Sequence, residues 1–328
     1  MEKECVDILL PTYNSNLRYL SEQIDSILNQ TYENIKLYIS DDNSKNHEVI
    51  DFLKELEHRD SRVKIYYQNK NLGYIKNFEF LLTKSKSDYI AFSDHDDLWY
   101  RNKIEILIRK IKETKTSLVY SDCRYINETG KILKESYMNY KNLPFITGKN
   151  INLAFSRHIA IGCAQLFTKD VKDIILPFSK AATVHDWITM YAASKLNGIS
   201  YIDKPLFSYR THASNIFGGK CVAKENLIKA RKQNGRLYAA FLEYRKDIIN
   251  VYYKGAYMCY LKYKEKKFTA KEEENIIKYY QSIRRTKYMN LNICKYCKYL
   301  VDKHIGKKQI KELMLFHFPI IVYIKYIF

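Results

Sequence analysis

The sequence predicts an α/β domain built on a mostly parallel sheet, followed by a basic helical extension. Two observations carry the expectation. Short apolar runs alternate with stretches of helical spacing from Val6 to Tyr120. Charge then separates sharply: residues 221–328 hold 24 Lys and Arg against 9 Asp and Glu, which is +15 of a total of +19. Residues 1–220 therefore form the expected α/β domain, and residues 221–328 the extension.

The elements follow in order. Val6–Leu10 is a strand running into Pro11-Thr12-Tyr13-Asn14. Leu17–Leu28 repeats its apolar residues (Leu17, Leu20, Ile24, Ile27, Leu28) at helical spacing. Ile35–Ile39 is a second strand ending at Asp41-Asp42-Asn43-Ser44, and His47–Leu56 a second helix. Val63–Tyr67 is a third strand ending at Asn69–Gly73, followed by a helix over Ile75–Leu82. Tyr89–Phe92 is a fourth strand, Lys103–Ile111 a helix and Ser117–Tyr120 a fifth strand. Such repeats require right-handed crossovers, so the strands lie parallel. Ligands of parallel sheets bind beyond the carboxyl ends of the strands. The four polar segments should therefore converge on one edge.

Past residue 125 the rhythm changes. Gly162–Phe167 reads as a strand, Asp170–Ile175 as a helical turn and His185–Leu196 as a helix. Ile199–Tyr209 is extended, with Pro205 inside it. Beyond residue 220 the chain reads as helices and carries 14 of the 30 tyrosines. No internal repeat is visible. The seven cysteines suggest a reducing compartment rather than a disulfide framework. The one close pair, Cys294 and Cys297, reads as two helix residues one turn apart or as a weak zinc or redox motif. Met1–Glu4 leads directly into a strand, with no signal peptide. Leu313–Phe328 is apolar but only 16 residues long, against the roughly 20 that a membrane-spanning helix needs.

The densest chemistry lies in Asp94-His95-Asp96-Asp97. Three carboxylates within four positions at a strand end repel one another unless a cation neutralises them. A divalent cation with a phosphorylated partner suits that site. The alternative, a helix cap ahead of Leu98-Trp99, needs only one acceptor. Asp41-Asp42 has the same two readings, as a turn or as acceptors for a base N–H or ribose hydroxyls. In Thr183-Val184-His185-Asp186, Asp186 is either the acid of a capping box or a general base kept ionised by the helix N-terminus. Arg210 and His212 could bind phosphate or metal.

Seven segments occur in a telling order: VDILLPTYN, ISDDNS, NLGYIKNF, YIAFSDHDDLW, GCAQLF, HDW and YRTHASN. Over about residues 5–220 the chain resembles inverting family 2 glycosyltransferases of the GT-A fold. The likeness is greatest to bacterial rhamnosyltransferase-like enzymes of surface polysaccharide synthesis. This resemblance implies a GT-A nucleotide-binding mixed sheet flanked by helices. It implies a nucleotide-diphosphate sugar as donor, rhamnose being the sugar of the nearest likeness, and Mg²⁺ or Mn²⁺ as cofactor. Pro11, Thr12, Tyr13, Asp42 and Asn71 match donor-binding segments. Asp94 and Asp96 match the Asp-x-Asp that contacts ribose and metal, with Asp97 as alternative ligand. Asp186 matches the catalytic base. Arg210 and His212 match a loop that closes over the diphosphate, His212 as a further metal ligand. His95 stands where many relatives have Gln, and His185 where an acid often precedes the base.

The resemblance further implies a glycan or lipid-linked acceptor and a site at the inner face of the cell membrane. The Lys- and Tyr-rich extension suits an anionic membrane surface better than nucleic acid. Oligomeric state is left open. Two other functions compete. A nucleotidyltransferase would usually carry a glycine-rich loop after the first strand, where Pro11–Asn14 has no glycine. A non-enzymatic binder of anionic surfaces would use only the extension.

Overall fold

The computed structural model describes residues 4–141, 143, 145–149, 160–178, 184–212 and 215. The extension over residues 221–328, with Cys294, Cys297 and Leu313–Phe328, lies outside the described residues, as does Thr183. Among the described residues no helix is long and apolar enough to cross a membrane.

The expected alternation is present. Strands β1 (Val6–Thr12), β2 (Ile35–Asp41), β3 (Val63–Tyr67) and β4 (Tyr89–Phe92) are separated by helices α1 (Leu17–Leu28), α2 (His47–Arg59) and α3 (Tyr74–Lys84). These four strands pair in parallel in the order β3-β2-β1-β4. Every residue of β1 is buried, as a strand covered on both faces requires. The helices present apolar stripes to the sheet: Leu20, Ile24 and Ile27 from α1, and Phe78, Leu81 and Leu82 from α3.

The second half is mixed rather than parallel. β5 (Leu98–Trp99) precedes α4 (Lys103–Thr114), β6 (Leu118–Ile126), β7 (Ile132–Lys134) and a short α5 (Tyr137–Lys141). A single 3₁₀ turn (Gly162–Ala164) leads into β8 (Gln165–Thr168), α6 (Lys169–Ile175), α7 (His185–Lys195) and β9 (Ile199–Arg210). The sheet continues β4-β8-β6-β9-β5, with β8 antiparallel to both neighbours and β9 parallel to β6. Three register pairs, from Tyr89↔Thr168 to Ala91↔Leu166, join the two halves. Pro205 is accommodated beside a register irregularity opposite Asp122, where a missing N–H is tolerated.

Three expectations change in detail. The fifth expected strand runs on to Ile126 and pairs along β9 as far as Arg210. Gly162–Phe167 opens as a 3₁₀ turn before becoming β8. Leu98-Trp99 forms a strand instead of opening a helix, because Leu98 pairs with Ser208 and the Trp99 N–H donates to Ser26 Oγ at 3.0 Å. The Asp94–Asp97 cluster therefore caps no helix.

The floor of the sheet is tied by a buried acid. Asp7 is fully buried, and its carboxylate accepts from the Ser85 and Ser87 hydroxyls and the Lys86 and Ser87 amides at 2.7–2.9 Å. It fixes the turn into β4 at the end opposite the polar segments.

Candidate active site

Parallel pairing of β1 to β4 brings their carboxyl ends to one edge, and side chains lash the following loops together there. The Asp42 N–H donates to the Thr12 carbonyl at 2.8 Å. The Asp42 carboxylate, buried, accepts from the Leu72 amide at 2.7 Å and the Gly73 amide at 2.9 Å. Gly73 stands at φ +80°, a conformation suited to glycine, and so turns its N–H onto Asp42. Asn71 Oδ1 accepts from the same Gly73 amide at 3.0 Å. Asp41 accepts from Ser44 N and Oγ, and Ser44 Oγ accepts from the Asn14 amide at 2.8 Å. Thr12 is buried against Ser15, whereas Tyr13 is 48% exposed at the rim. The residues expected from the first three loops thus form one connected edge.

The acid cluster begins where Ser93 N–H bonds to the Leu9 carbonyl and Gln23 Nε2 donates to Ser93 Oγ at 2.7 Å. Asp94 is half-buried; Asp96 and Asp97 are buried. The segment after β9 closes on them. The Arg210 N–H donates to Asp97 Oδ1 at 3.2 Å and its Nε to the Asp96 carbonyl at 2.9 Å. Its Nη2 meets Glu22 Oε2 at 2.5 Å, with the guanidinium over the Tyr19 ring. His212 Nε2 lies 2.7 Å from Asp96 Oδ2, which Asn215 Nδ2 also approaches at 3.3 Å. Asp94, Asp97 and the Cys163 thiol offer ligand atoms within 4.8 Å of one another.

Electrostatics split the three acids. Burial first, then the Asp96 charge, pushes the Asp94 carboxyl up to about 7. Burial and the Asp96 and Asp94 charges raise Asp97 well above the carboxylate range. Burial also acts on Asp96, but the His212 hydrogen bond and the His95 and His212 charges outweigh it and hold that carboxyl low. Burial pushes the Cys163 thiol well up.

Asp186 enters from the other half of the sheet. The cap of α7 is Val184, so Asp186 takes the second helical position, and its carboxylate accepts the Gly162 amide at 3.0 Å. Its backbone is gripped as well. Gln165 Nε2 donates to the Asp186 carbonyl at 3.0 Å, and the Thr189 hydroxyl donates to the same carbonyl at 2.7 Å. His185 is stacked on Phe78, with ring centroids 3.7 Å apart, and lies edge-on to Phe92. It wedges α7 against α3 and β4. The Asp186 charge helps to raise Asp94, so the two carboxyls share one electrostatic site. A Cβ on Gly162 would collide with the His185 ring.

Beneath the cluster lies Lys103, fully buried at the first position of α4. Its ammonium sits 3.5 Å from the Trp99 ring centroid and 4.5 Å from that of Phe207, and it donates to the Cys163 carbonyl. Burial pulls it down to about 7, against the opposing pull of Cys163, Asp97, Cys123 and Asp94. Asn102 makes no side-chain cap; Gln30 Oε1, two residues past the end of α1, accepts the Ile104 amide instead, at 3.0 Å.

The structure therefore gathers Asp94, Asp96, Asp97, Arg210 and His212 at the end of β4. It connects Pro11–Tyr13, Asp42 and Asn71 at the neighbouring loops. Arg210 is committed to Glu22 and to backbone carbonyls. Sequence reasoning passed over Glu22, Gln23, Gly162, Cys163 and Lys103. Only Lys103 left a local signal: a cation at a helix start, opposed by the helix dipole.

The mixed sheet flanked by helices, with carboxylates crowded at a central strand end, defines an α/β protein of GT-A architecture. A crystal structure of Staphylococcus aureus TarS residues 1–349, in complex with UDP-GlcNAc, superposes with TM-score 0.54 at 13% identity over 90% of this chain and 80% of that one. The glycosyl transferase family 2 model matches residues 7–175, and the chain belongs to that family. Among relatives, an Escherichia coli protein named UDP-Glc:alpha-D-GlcNAc-diphosphoundecaprenol beta-1,3-glucosyltransferase WfgD is 29% identical over 67% of this chain and 82% of its own. An uncharacterized glycosyltransferase of Rickettsia bellii is 33% identical over 39% of this chain. The chain spans only 18% of that relative, and 36% of a similar one from Rickettsia felis.

Gly162→Ala should displace His185 and with it the first turn of α7. Turnover should fall at least tenfold, since displacement of about an ångström costs on that scale or more. Steady-state assay beside a thermal melt checks this; an unchanged rate would show that the turn tolerates a side chain.

Proposed function

We propose that this glycosyltransferase moves a sugar from a nucleoside-diphosphate donor to a hydroxyl of a glycan or lipid-linked acceptor, with inversion. The observation that carries the reading is the Gly162–Ala164 turn, whose Gly162 N–H holds the Asp186 carboxylate and whose Cys163 thiol lies beside Asp94 and Asp97. Pro11, Thr12, Tyr13, Asp42 and Asn71 form the edge for the base and ribose. The WfgD relative is named for a UDP-glucose donor and a diphosphoundecaprenol-linked acceptor, and the TarS structure holds UDP-GlcNAc. These favour a UDP-linked hexose as the first donor to assay, with a rhamnose donor beside it.

The residues fit a hard divalent cation. Asp94, with Asp96 and His212, offers carboxylate and imidazole ligands; burial does most to raise Asp94, and the Asp96 charge that adds to it is one a cation would relieve. The Asp97 and Cys163 side suits one less, because the thiol stays protonated and the Lys103 ammonium already faces it. When bound, Mg²⁺ or Mn²⁺ would neutralise the departing diphosphate. Arg210 holds the segment carrying His212 against the cluster. Asp186, at the positive end of α7, is kept ionised to accept the proton of the attacking hydroxyl. One displacement at the anomeric carbon then inverts configuration.

The extension over residues 221–328 is proposed to rest on an anionic membrane surface, bringing residues 1–220 to a lipid-linked acceptor at its inner face. Its charge of +15 supports that placement.

Asp186→Asn should lower turnover about 10²- to 10⁴-fold, the usual worth of a general base, while UDP binding by calorimetry stays near that of the parent. Retention of normal turnover would remove Asp186 from the mechanism. A second outcome concerns pH. The Asp94 carboxyl stands higher in the folded chain than unfolded, so its stabilisation is complete in acid and is lost as pH rises through about 7. A cation competes with that proton. Mn²⁺ should therefore raise the melting temperature more at pH 8 than at pH 5, and Asp94→Asn should flatten the difference. Equal shifts at both pH values would contradict a site on Asp94. Finally, truncation after residue 220 should abolish sedimentation with phosphatidylglycerol vesicles; equal sedimentation of both proteins would assign the extension a different role.

A further inference from the structure

Lys103 is placed where elementary energetics disfavour a lysine. An ammonium removed from water carries a large desolvation cost. At the first position of α4 it also faces the positive end of the helix dipole. Among the described residues no hydrogen-bonded carboxylate partners it: its ammonium lies against the Trp99 and Phe207 rings and donates to the Cys163 carbonyl. Asp97 and Asp94 supply an attractive field without contact.

The atom it holds explains the placement. Cys163 is the middle residue of the Gly162–Ala164 turn. The preceding residue sends its N–H to Asp186 Oδ2, and the following strand sends Gln165 to the Asp186 carbonyl. The Cys163 carbonyl shares its peptide plane with the Ala164 N–H, which closes the turn on the Ile161 carbonyl at 2.9 Å, so Lys103 anchors the turn that presents the Gly162 N–H. We propose that Lys103 is a positioning residue for the catalytic base, acting through the Gly162–Ala164 turn to orient the Asp186 carboxylate. The inference rests on the reading of Asp186 as the base.

Lys103→Met keeps the length and apolar stem but removes the donor and the charge. The expected result is a fall in kcat of about tenfold to a hundredfold, the scale of a base displaced by up to about an ångström. UDP affinity, by calorimetry, should change less than about threefold. The melting temperature should hold or rise, because an apolar group replaces a buried cation. A purely structural lysine would instead lower stability, UDP affinity and turnover together, or leave no folded protein; either result overturns the proposal, as does a kcat within twofold of the parent. Lys103→Gln, which keeps an N–H donor without charge, should recover part of the lost kcat. Equal loss in the Gln and Met variants would also overturn it. Asp186→Asn, assayed beside them, separates the two readings. A working Asp186→Asn enzyme removes the base assignment itself. A dead Asp186→Asn enzyme beside a fully active Lys103→Met enzyme removes only the role of Lys103.

Discussion

Mutual repulsion of carboxylates buried at the end of β4 is the constraint to which the surrounding structure answers. Asp96 and Asp97 are buried and Asp94 half-buried, within one turn of chain. Left alone they would open the loop to water or take up protons. Instead the protein distributes compensation over three segments. The end of β9 supplies the Arg210 amide and guanidinium, and the residues after it supply His212 and Asn215. The start of α4 supplies Lys103. Of the three acids Asp94 alone keeps access to solvent, and its carboxyl, like that of Asp97, holds its proton more tightly than usual. Compensation is thus incomplete on the side where a ligand would arrive.

The mixed sheet makes this distribution possible. A wholly parallel sheet would place only the loops of β1 to β4 at the edge. Inserting β8 antiparallel beside β4 puts the Gly162–Ala164 turn next to the acid cluster, and α7 follows with Asp186. Running β9 parallel to β6, with β5 against it, returns Arg210 to a loop more than a hundred residues earlier. Backbone pairing does the long-range work; side chains complete it.

Much of the fold was legible because its signals are local. Apolar runs ending in Pro11–Asn14, Asp41–Ser44 and Asn69–Gly73 mark strands and their exits without reference to any partner. The acid cluster was legible for the same reason, since three charges in four positions are conspicuous wherever they lie. β5 was not, because two residues carry no periodicity and Leu98 becomes a strand only by meeting Ser208. The grip of Gly162 on Asp186 was hidden too: the residues are 24 apart, and a glycine amide carries no chemical signature. Asp42 was seen as a ligand for something outside the chain, whereas its carboxylate also ties the β2 exit to the Leu72–Gly73 loop. Hydrogen bonds that join loops are properties of the packed state, and residue type alone does not reveal their target.

The seam between β4 and β8 is only three residue pairs long. On one side lie β1 to β4 and the loops that follow them; on the other lie β8, β6, β9 and the helix that carries Asp186. The halves meet there through a few backbone hydrogen bonds and the packed rings of Phe78, Phe92, Phe167 and His185, and at the acid cluster through the hydrogen bonds of Arg210 and His212 to Asp97 and Asp96. So short a seam makes the angle between the two halves a matter of side-chain packing rather than of strand register.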